Sequence, residues 1–315
     1  MKVDVIIPVY KPDSSLFKLM DRLQVQTVPV HNIILMNTEE KYFQELISDI
    51  DFREIYPNVK VYHLSKKEFD HGGTRRRGVR KSDAEVFVMM TQDAMPKDER
   101  LIEYLLQGLQ KENVAAAYAR QLPREDCRPI ERCLRQFNYP ETSRIKSVED
   151  LETLGIKTYF CSNVCCAYRR DIYETLGGFI RHTIFNEDMI YAAAAIKAGY
   201  RIAYVAEAEV IHSHNYTCKQ QFHRNFDLGV SQAKHPEVFE GIPSEGEGIR
   251  SVKTTARYLY QQRQARLIPY LFLQSASKYM GYLLGKHYRI LPLSLVYILS
   301  MNKDYWRRKE IRKIS

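Results

Sequence analysis

Four short apolar runs, at residues 3–9, 32–36, 59–64 and 86–90, alternate with stretches at 13–26, 42–52 and 74–81 whose apolar residues recur at helical spacing. Strand-length runs separated by helix-length ones select βαβ units. These in turn select a parallel sheet, because parallel neighbours can be joined only through a long crossover. In such a sheet the loops that follow Val9, Met36, Leu64 and Met90 share one edge, the edge at which open α/β sheets bind ligands. The expected fold class is therefore α/β.

The fourth run says most about function. Val86-Phe-Val-Met-Met-Thr-Gln-Asp93-Ala-Met-Pro96 stays apolar to Met90 and then brings a carboxylate, Asp93, to that edge. An acid there, with Pro96 close behind, either caps the next helix or holds a hard divalent cation beside phosphates. Farther on, a helix is expected at 99–111, strands at 114–118, 160–168 and 201–205, and helices at 171–176 and 188–198. Residues 121–152 mix charge and proline without a period and read as a surface excursion of the kind that forms lids. From Lys219 the pattern turns helical, and a linker is expected at 241–248.

Three further motifs carry chemistry. Asn186-Glu187-Asp188 sets two acids at a helix start, as N-terminal capping groups or as a general base with a partner. Val210-Ile-His212-Ser-His214 leaves an apolar run with two histidines at i and i+2, suited to a shared metal or phosphate site. Phe69-Asp70-His71-Gly72-Gly73-Thr74-Arg75 is a glycine turn opening a helix, fit for close backbone approach and for anions. The G-x-G-x-x-G spacing of dinucleotide sites is absent.

Composition narrows the class. With 315 residues, 45% hydrophobic and 27% charged, the chain is ordinary globular material with room for one large domain and an appendage. Its six cysteines form no C-x-x-C pair, so reduced packing thiols are expected and structural zinc is not. Met1 runs straight into the first strand, too early for a secretory leader, and the cytosol is the expected compartment. The net charge of +9 concentrates at Arg75-Arg-Arg77, at Arg80-Lys81 and in the last quarter, through Lys253, Arg257, Arg263, Arg266, Lys278, Lys286, Arg289 and Arg307-Arg-Lys309. Such a tail suits an anionic membrane surface or a polyanion, and charge alone leaves nucleic acid open.

In this order, over roughly residues 3–240, the motifs resemble the family 2 glycosyltransferases with the A-type nucleotide-sugar fold, and their rhamnosyltransferase branch in particular. Ile6-Ile7-Pro8-Val9-Tyr10 is similar to the family's first strand, whose end holds the nucleoside. The loop from Lys67 to Arg75 resembles the branch's nucleotide-bordering loop. Gln92-Asp93-Ala94 stands where the family carries its D-x-D motif, with one acid in place of two. Asn37 stands where relatives commonly place a base-reading aspartate. Ser162 and Asn163 resemble the segment beneath the sugars, Glu187 and Asp188 the base motif, and His212 or His214 the late histidine.

The resemblance implies a Rossmann-like, mostly parallel central sheet flanked by helices (GT-A type) over 1–240, with a helical, basic extension over 241–315. It implies donor contacts from Pro8, Val9, Tyr10, Asn37, Asp70, His71, Gly72, Arg75, Gln92, Asp93, Ser162 and Asn163. Mg2+ or Mn2+ would sit on Asp93 with His212 or His214, with Arg75 helping to offset the diphosphate's charge, and Asp188 would act as base with Glu187 as its partner. The implied reaction is inverting transfer of L-rhamnose from dTDP-β-L-rhamnose to a hydroxyl of a cell-surface polysaccharide or lipid-linked oligosaccharide, with no nucleic acid involved.

The alternatives are a hexosyltransferase using a UDP-sugar, a nucleotidyltransferase, and a non-catalytic polyanion-binding module. The nucleotidyltransferase expects a glycine- and basic-rich loop after the first strand, where Tyr10-Lys11-Pro12-Asp13 stands instead. The polyanion module leaves the acids and histidines unused. The apolar runs of the extension are too short to span a bilayer and are broken by Gln274, Lys278 and Lys286. They suit peripheral attachment at the inner face of the cell membrane, or a helical hairpin packed on the catalytic domain or on a second subunit of a homo-oligomer.

Overall fold

The computed structural model describes residues 1–242 and 245–307. Arg308 and Lys309 of the basic tail, and two residues of the expected linker, lie outside the described residues. Two compact units are present. The first comprises Met1–Leu122, Pro140–His182 and Glu187–His212, and the second Pro123–Tyr139, Thr183–Asn186 and the chain from Ser213 on.

The first unit is built on one sheet. Among the described residues its strands are β1 (Val3–Tyr10), β2 (Asn32–Thr38), β3 (Val59–Leu64), β4 (Val86–Met90), β5 (Met95–Pro96), β6 (Val114–Leu122), β7 (Arg144–Lys146), β8 (Cys165–Arg169) and β9 (Arg201–Ile211), in the order β3-β2-β1-β4-β8-β6-β9-β5 with β7 on β9. From β3 to β4 all pairing is parallel, which aligns the ends of β1, β2, β3 and β4 as expected. β8 then enters antiparallel to both β4 and β6. All five residues of β4 are buried, as a central strand requires. Val5, Ile7 and Val9 pack with Leu16, Leu19, Met20 and Leu23 of the helix Ser15–Gln24 in the main core.

Several expected boundaries move for local reasons. The helix expected at 74–81 is His71–Val79, because Asp70 caps it by accepting from the Gly73 N–H at 2.9 Å. Gly72 and Gly73 thus lie inside the first helical turn. The helix expected at 42–52 splits into Glu40–Ile47 and Phe52–Ile55, where Asp51 caps the second piece. The strand expected at 160–168 is confined to Cys165–Arg169. The excursion at 121–152 holds the helix Pro129–Asn138 and strand β7. Its helical period is masked by charge, yet Ile130 joins Leu259 and Leu271 in a small core.

The expected division at residue 240 is not where the units part. Helix Cys218–Lys234, placed by sequence with the catalytic domain, packs instead on Ile268–Lys286. Glycines allow it: a Cβ on Gly281 would stand 2.2 Å from the Phe222 carbonyl oxygen, and one on Gly285 would stand 2.1 Å from that of Phe226. The expected linker is also corrected, since Gly246 and Gly248 lie in the helix Glu245–Gln261. Among the described residues no helix is long and apolar enough to cross a membrane.

Candidate active site

The carboxyl edge of β1 and β4 is locked by one side chain. The Gln92 amide accepts from the Tyr10 N–H at 2.8 Å and donates to the Tyr10 carbonyl at 3.0 Å, so Gln92 spends its polar atoms joining the two strand ends. Val9 is buried and pairs with Asn37 across β1 and β2, with Pro8 just behind it. The Tyr10 ring is exposed and meets Tyr42 edge-on at 5.9 Å, with the Lys11 ammonium 5.6 Å from one ring and 5.2 Å from the other. Asn37 is fully buried; its amide nitrogen lies 2.9 Å from His63 Nδ1, while its Oδ1 has no partner among the described residues.

Asp93 follows Gln92 in a turn closed by the Ala94 N–H on the Thr91 carbonyl, 3.1 Å. The next long helix begins only at Leu101, so Asp93 does not cap it. Pairing of Met95 and Pro96 with Ile211 and Val210 carries the end of β9 alongside, and His212, the next residue, places Nδ1 3.6 Å from Asp93 Oδ1. That spacing is long for a hydrogen bond. It matches what two ligands make around one ion with bonds of about 2.0–2.2 Å. A carboxylate oxygen and an imidazole nitrogen therefore fit a divalent cation. His214 belongs to the second unit, where its ring stacks on Tyr216 at 4.9 Å.

The two acids sit at the start of helix Glu187–Lys197 after Asn186, which takes the left-handed conformation (φ +65°) that asparagine tolerates. Asn163 addresses both. Its backbone N–H donates to Asp188 Oδ2 at 3.0 Å, and its side-chain amide donates to Glu187 Oε1 at 3.2 Å. Asn163 is held in turn by the buried Tyr168 hydroxyl, which donates to its Oδ1 at 2.8 Å. Asp188 Oδ1 takes the Met189 N–H at 2.8 Å. Ser162, one residue before, accepts instead from the Gln121 amide at 2.9 Å.

The environments of the two carboxyls differ. Burial would raise Glu187, but the charges of Arg75 and His71 and the Asn163 hydrogen bond hold it below its ordinary range. Asp188 is pushed up to about 7, by burial and then by the charge of Glu187. One acid is thus fixed as an anion while its neighbour is poised near neutrality, the separation that marks acid–base sites.

The glycine-turn motif supports these acids from behind. Arg75, buried, reaches Glu187 Oε1 at 3.2 Å and donates to the His71 carbonyl at 3.1 Å. Arg76 donates to the carbonyls of Phe179, at 2.9 Å, and Gly177. A Cβ on Gly72 would stand 2.0 Å from the Ile180 carbonyl oxygen, so the close backbone approach expected here is by the chain's own segment 180–181. Asp70 gives one oxygen to the helix cap and the other to His182 Nδ1 at 2.6 Å. The carboxylate expected to face the donor is engaged within the fold. His182 was not singled out from sequence, because nothing local marks a partner 112 residues away.

Comparison with known proteins gives the family and the fold. The glycosyl transferase family 2 model matches residues 4–177. The chain is 41% identical over 309 residues to the O-antigen chain rhamnosyltransferase RfbN of Salmonella typhimurium, covering 97% of this chain and 96% of that protein. The chain belongs to glycosyl transferase family 2. A second rhamnosyltransferase, WbaN of Salmonella anatum, is 41% identical over 308 residues, 96% of this chain and 95% of that protein, so the enzyme falls in the family's rhamnosyltransferase branch.

Solved structures agree on the fold of this glycosyltransferase. The mannosyltransferase PcManGT of Pyrobaculum calidifontis, in complex with GDP-Man and Mn2+, is similar at a TM-score of 0.57 with 13% identity, covering 99% of this chain and 87% of that one. Staphylococcus aureus TarS 1-349 with UDP-GlcNAc gives 0.52 with 13% identity, covering 92% of each chain. The fold is GT-A-like, with a mostly parallel sheet flanked by helices and a helical C-terminal part.

Proposed function

We propose that this glycosyltransferase moves L-rhamnose from dTDP-β-L-rhamnose, with inversion, to a hydroxyl of an O-antigen-type polysaccharide or its lipid-linked precursor. The observation that carries the chemistry is Asp188, a carboxyl fixed by two backbone N–H groups and pushed up to about 7 by burial and the charge of Glu187. The sugar is supported by near-full-length likeness to two O-antigen chain rhamnosyltransferases.

In this reading the acceptor hydroxyl attacks the anomeric carbon and gives its proton to Asp188 as the bond to the nucleotide diphosphate breaks. A carboxylate within about 3 Å of the hydroxyl is suited to that transfer, and negative charge near an oxocarbenium-like carbon lowers the barrier. Glu187, kept ionised by Arg75, maintains the field that holds the Asp188 proton affinity near neutrality. Arg75 acts through Glu187 rather than on the diphosphate. Asn163 keeps both carboxyls oriented. Tyr10, Tyr42 and Lys11 form an aromatic and cationic rim suited to a nucleoside diphosphate, with Asn37 beside it and Gln92 fixing its strand. Asp93 and His212 would hold Mg2+ or Mn2+, which supplies charge to offset the departing diphosphate; His214 is the alternative ligand of the same motif.

The enzyme would work as a peripheral protein on the inner face of the cell membrane. Phe272, Tyr279, Met280 and Leu283 are exposed on helix Ile268–Lys286, with Ile290 and Ile298 farther on. Apolar side chains beside the basic residues of this segment fit an anionic lipid surface.

The donor is tested by incubating the protein and Mn2+ with dTDP-rhamnose, UDP-glucose, UDP-galactose and GDP-mannose and measuring release of nucleotide diphosphate. Preference for dTDP-rhamnose is expected. Preference for a UDP-hexose overturns the donor, and turnover of none overturns the transfer reading.

A further inference from the structure

The second unit contains a cavity of about 370 Å³ between the start of helix Pro129–Asn138 and helix Ile268–Lys286. We infer that it is a saccharide-binding site, an inference that rests on the transfer reading, in which the protein handles a sugar polymer. Its volume falls within the range of about 300–1,000 Å³ typical of small-molecule sites.

The lining joins two kinds of surface that a pyranose needs. The rings of His214 and Tyr216 stack at 4.9 Å with 27° between their planes, and Tyr270 adds a third aromatic. The C–H face of a sugar carries slight positive charge and packs on the negative face of such rings. Arg128, Glu131 and Gln274 supply planar side chains whose paired donors or acceptors match neighbouring hydroxyls. The walls are braced: the Arg128 N–H donates to Asn215 Oδ1 at 2.9 Å, and Glu131 pairs with Arg135 at 2.7 Å.

Gln274 decides the chemistry. It is 8% exposed, its amide nitrogen donates to the Tyr216 carbonyl at 3.3 Å, and its Oε1 is buried with no partner among the described residues. A buried acceptor left unmatched costs free energy until a donor reaches it, and a sugar hydroxyl is such a donor. A lipid tail would leave Oε1 unmatched, and a phosphate diester, though Arg128 could pair with it, carries acceptors only and has no donor for Oε1 or Glu131. A neutral saccharide satisfies all of these groups.

Saturation-transfer NMR on the full-length protein with the methyl α-glycosides of L-rhamnose, D-mannose, D-galactose and D-glucose tests this. At least one glycoside is expected to show saturation, reduced about fivefold or more when the aromatic face or the buried acceptor is lost in Tyr270→Ala and Gln274→Leu. Melting temperature verifies folding, and if Gln274→Leu fails to fold, the half-buried Tyr270→Ala carries the comparison. No saturation by any glycoside, or equal saturation in wild type and folded variants, overturns the site. Either result leaves the transfer reading standing if the wild type still turns over a sugar nucleotide. A protein that turns over none, yet loses saturation in the variants, upholds the saccharide site alone.

Discussion

The Asn163 backbone N–H meets the Asp188 carboxylate at 3.0 Å across 25 residues of chain, and the same residue's side chain reaches Glu187. Asn163→Ala keeps the backbone contact but removes the link to Glu187 and the anchor on Tyr168. Supporting shells of this kind are worth about 10–100-fold in activity, so kcat should fall by that much while donor KM changes little. Steady-state kinetics check it, and a purely higher KM would assign Asn163 to donor binding instead.

The pH profile follows from the two carboxyls. Asp188 must be ionised to accept a proton, so turnover should rise through about pH 7 and level off above it. In Glu187→Gln the neighbouring anion is gone and Arg75 stays cationic. Both effects favour ionised Asp188, and the midpoint should fall by about one pH unit or more. The stability consequence has the opposite slope. Folded Asp188 holds its proton more tightly than an unfolded aspartate at about 3.9, so between about pH 4 and 7 the folded state carries the extra proton and loses stability as pH rises. Asp188→Asn should therefore gain in melting temperature over wild type at pH 8 relative to pH 4.5.

Two glycine substitutions should act in opposite directions. Gly72→Ala drives a Cβ into the Ile180 carbonyl and should destabilise by about 1–3 kcal/mol, as overpacking does. Gly248→Ala sits in a helix with nothing within 4 Å and should stabilise by roughly 0.4–1 kcal/mol. Urea unfolding of both variants measures the contrast, and equal signs would contradict the packing described.

Membrane attachment is read best from surface substitutions, since deleting the C-terminal helices would strip Gly281 and Gly285 from the helix they pack on. Full-length protein should float with anionic vesicles. Phe272→Asp with Met280→Asp should weaken binding at least about tenfold, because each apolar side chain contributes about 1.5–3 kcal/mol when buried. Equal flotation would point to a protein partner for this face.

Sequence carried the sheet and the acids further than it carried their support. β3 and β4 begin and end at the expected residues because a buried strand between turn residues has a plain apolar signature. Helix Pro129–Asn138 was hidden by Glu131, Arg132 and Arg135, since only Ile130 and Cys133 of it are buried. The Gly72-Gly73 pair was legible as a close approach but not as an approach by segment 180–181, which only the fold brings there. For the same reason the pairing of helix Cys218–Lys234 with Ile268–Lys286, which Gly281 and Gly285 permit, left no mark on composition.

The central claim is that Asp188 takes the acceptor proton, and Asp188→Asn tests it most directly. Turnover of dTDP-rhamnose with acceptor should fall by about 10²–10⁴-fold while the dissociation constant for the sugar nucleotide stays within about threefold. Retention of more than about a tenth of wild-type turnover would contradict it.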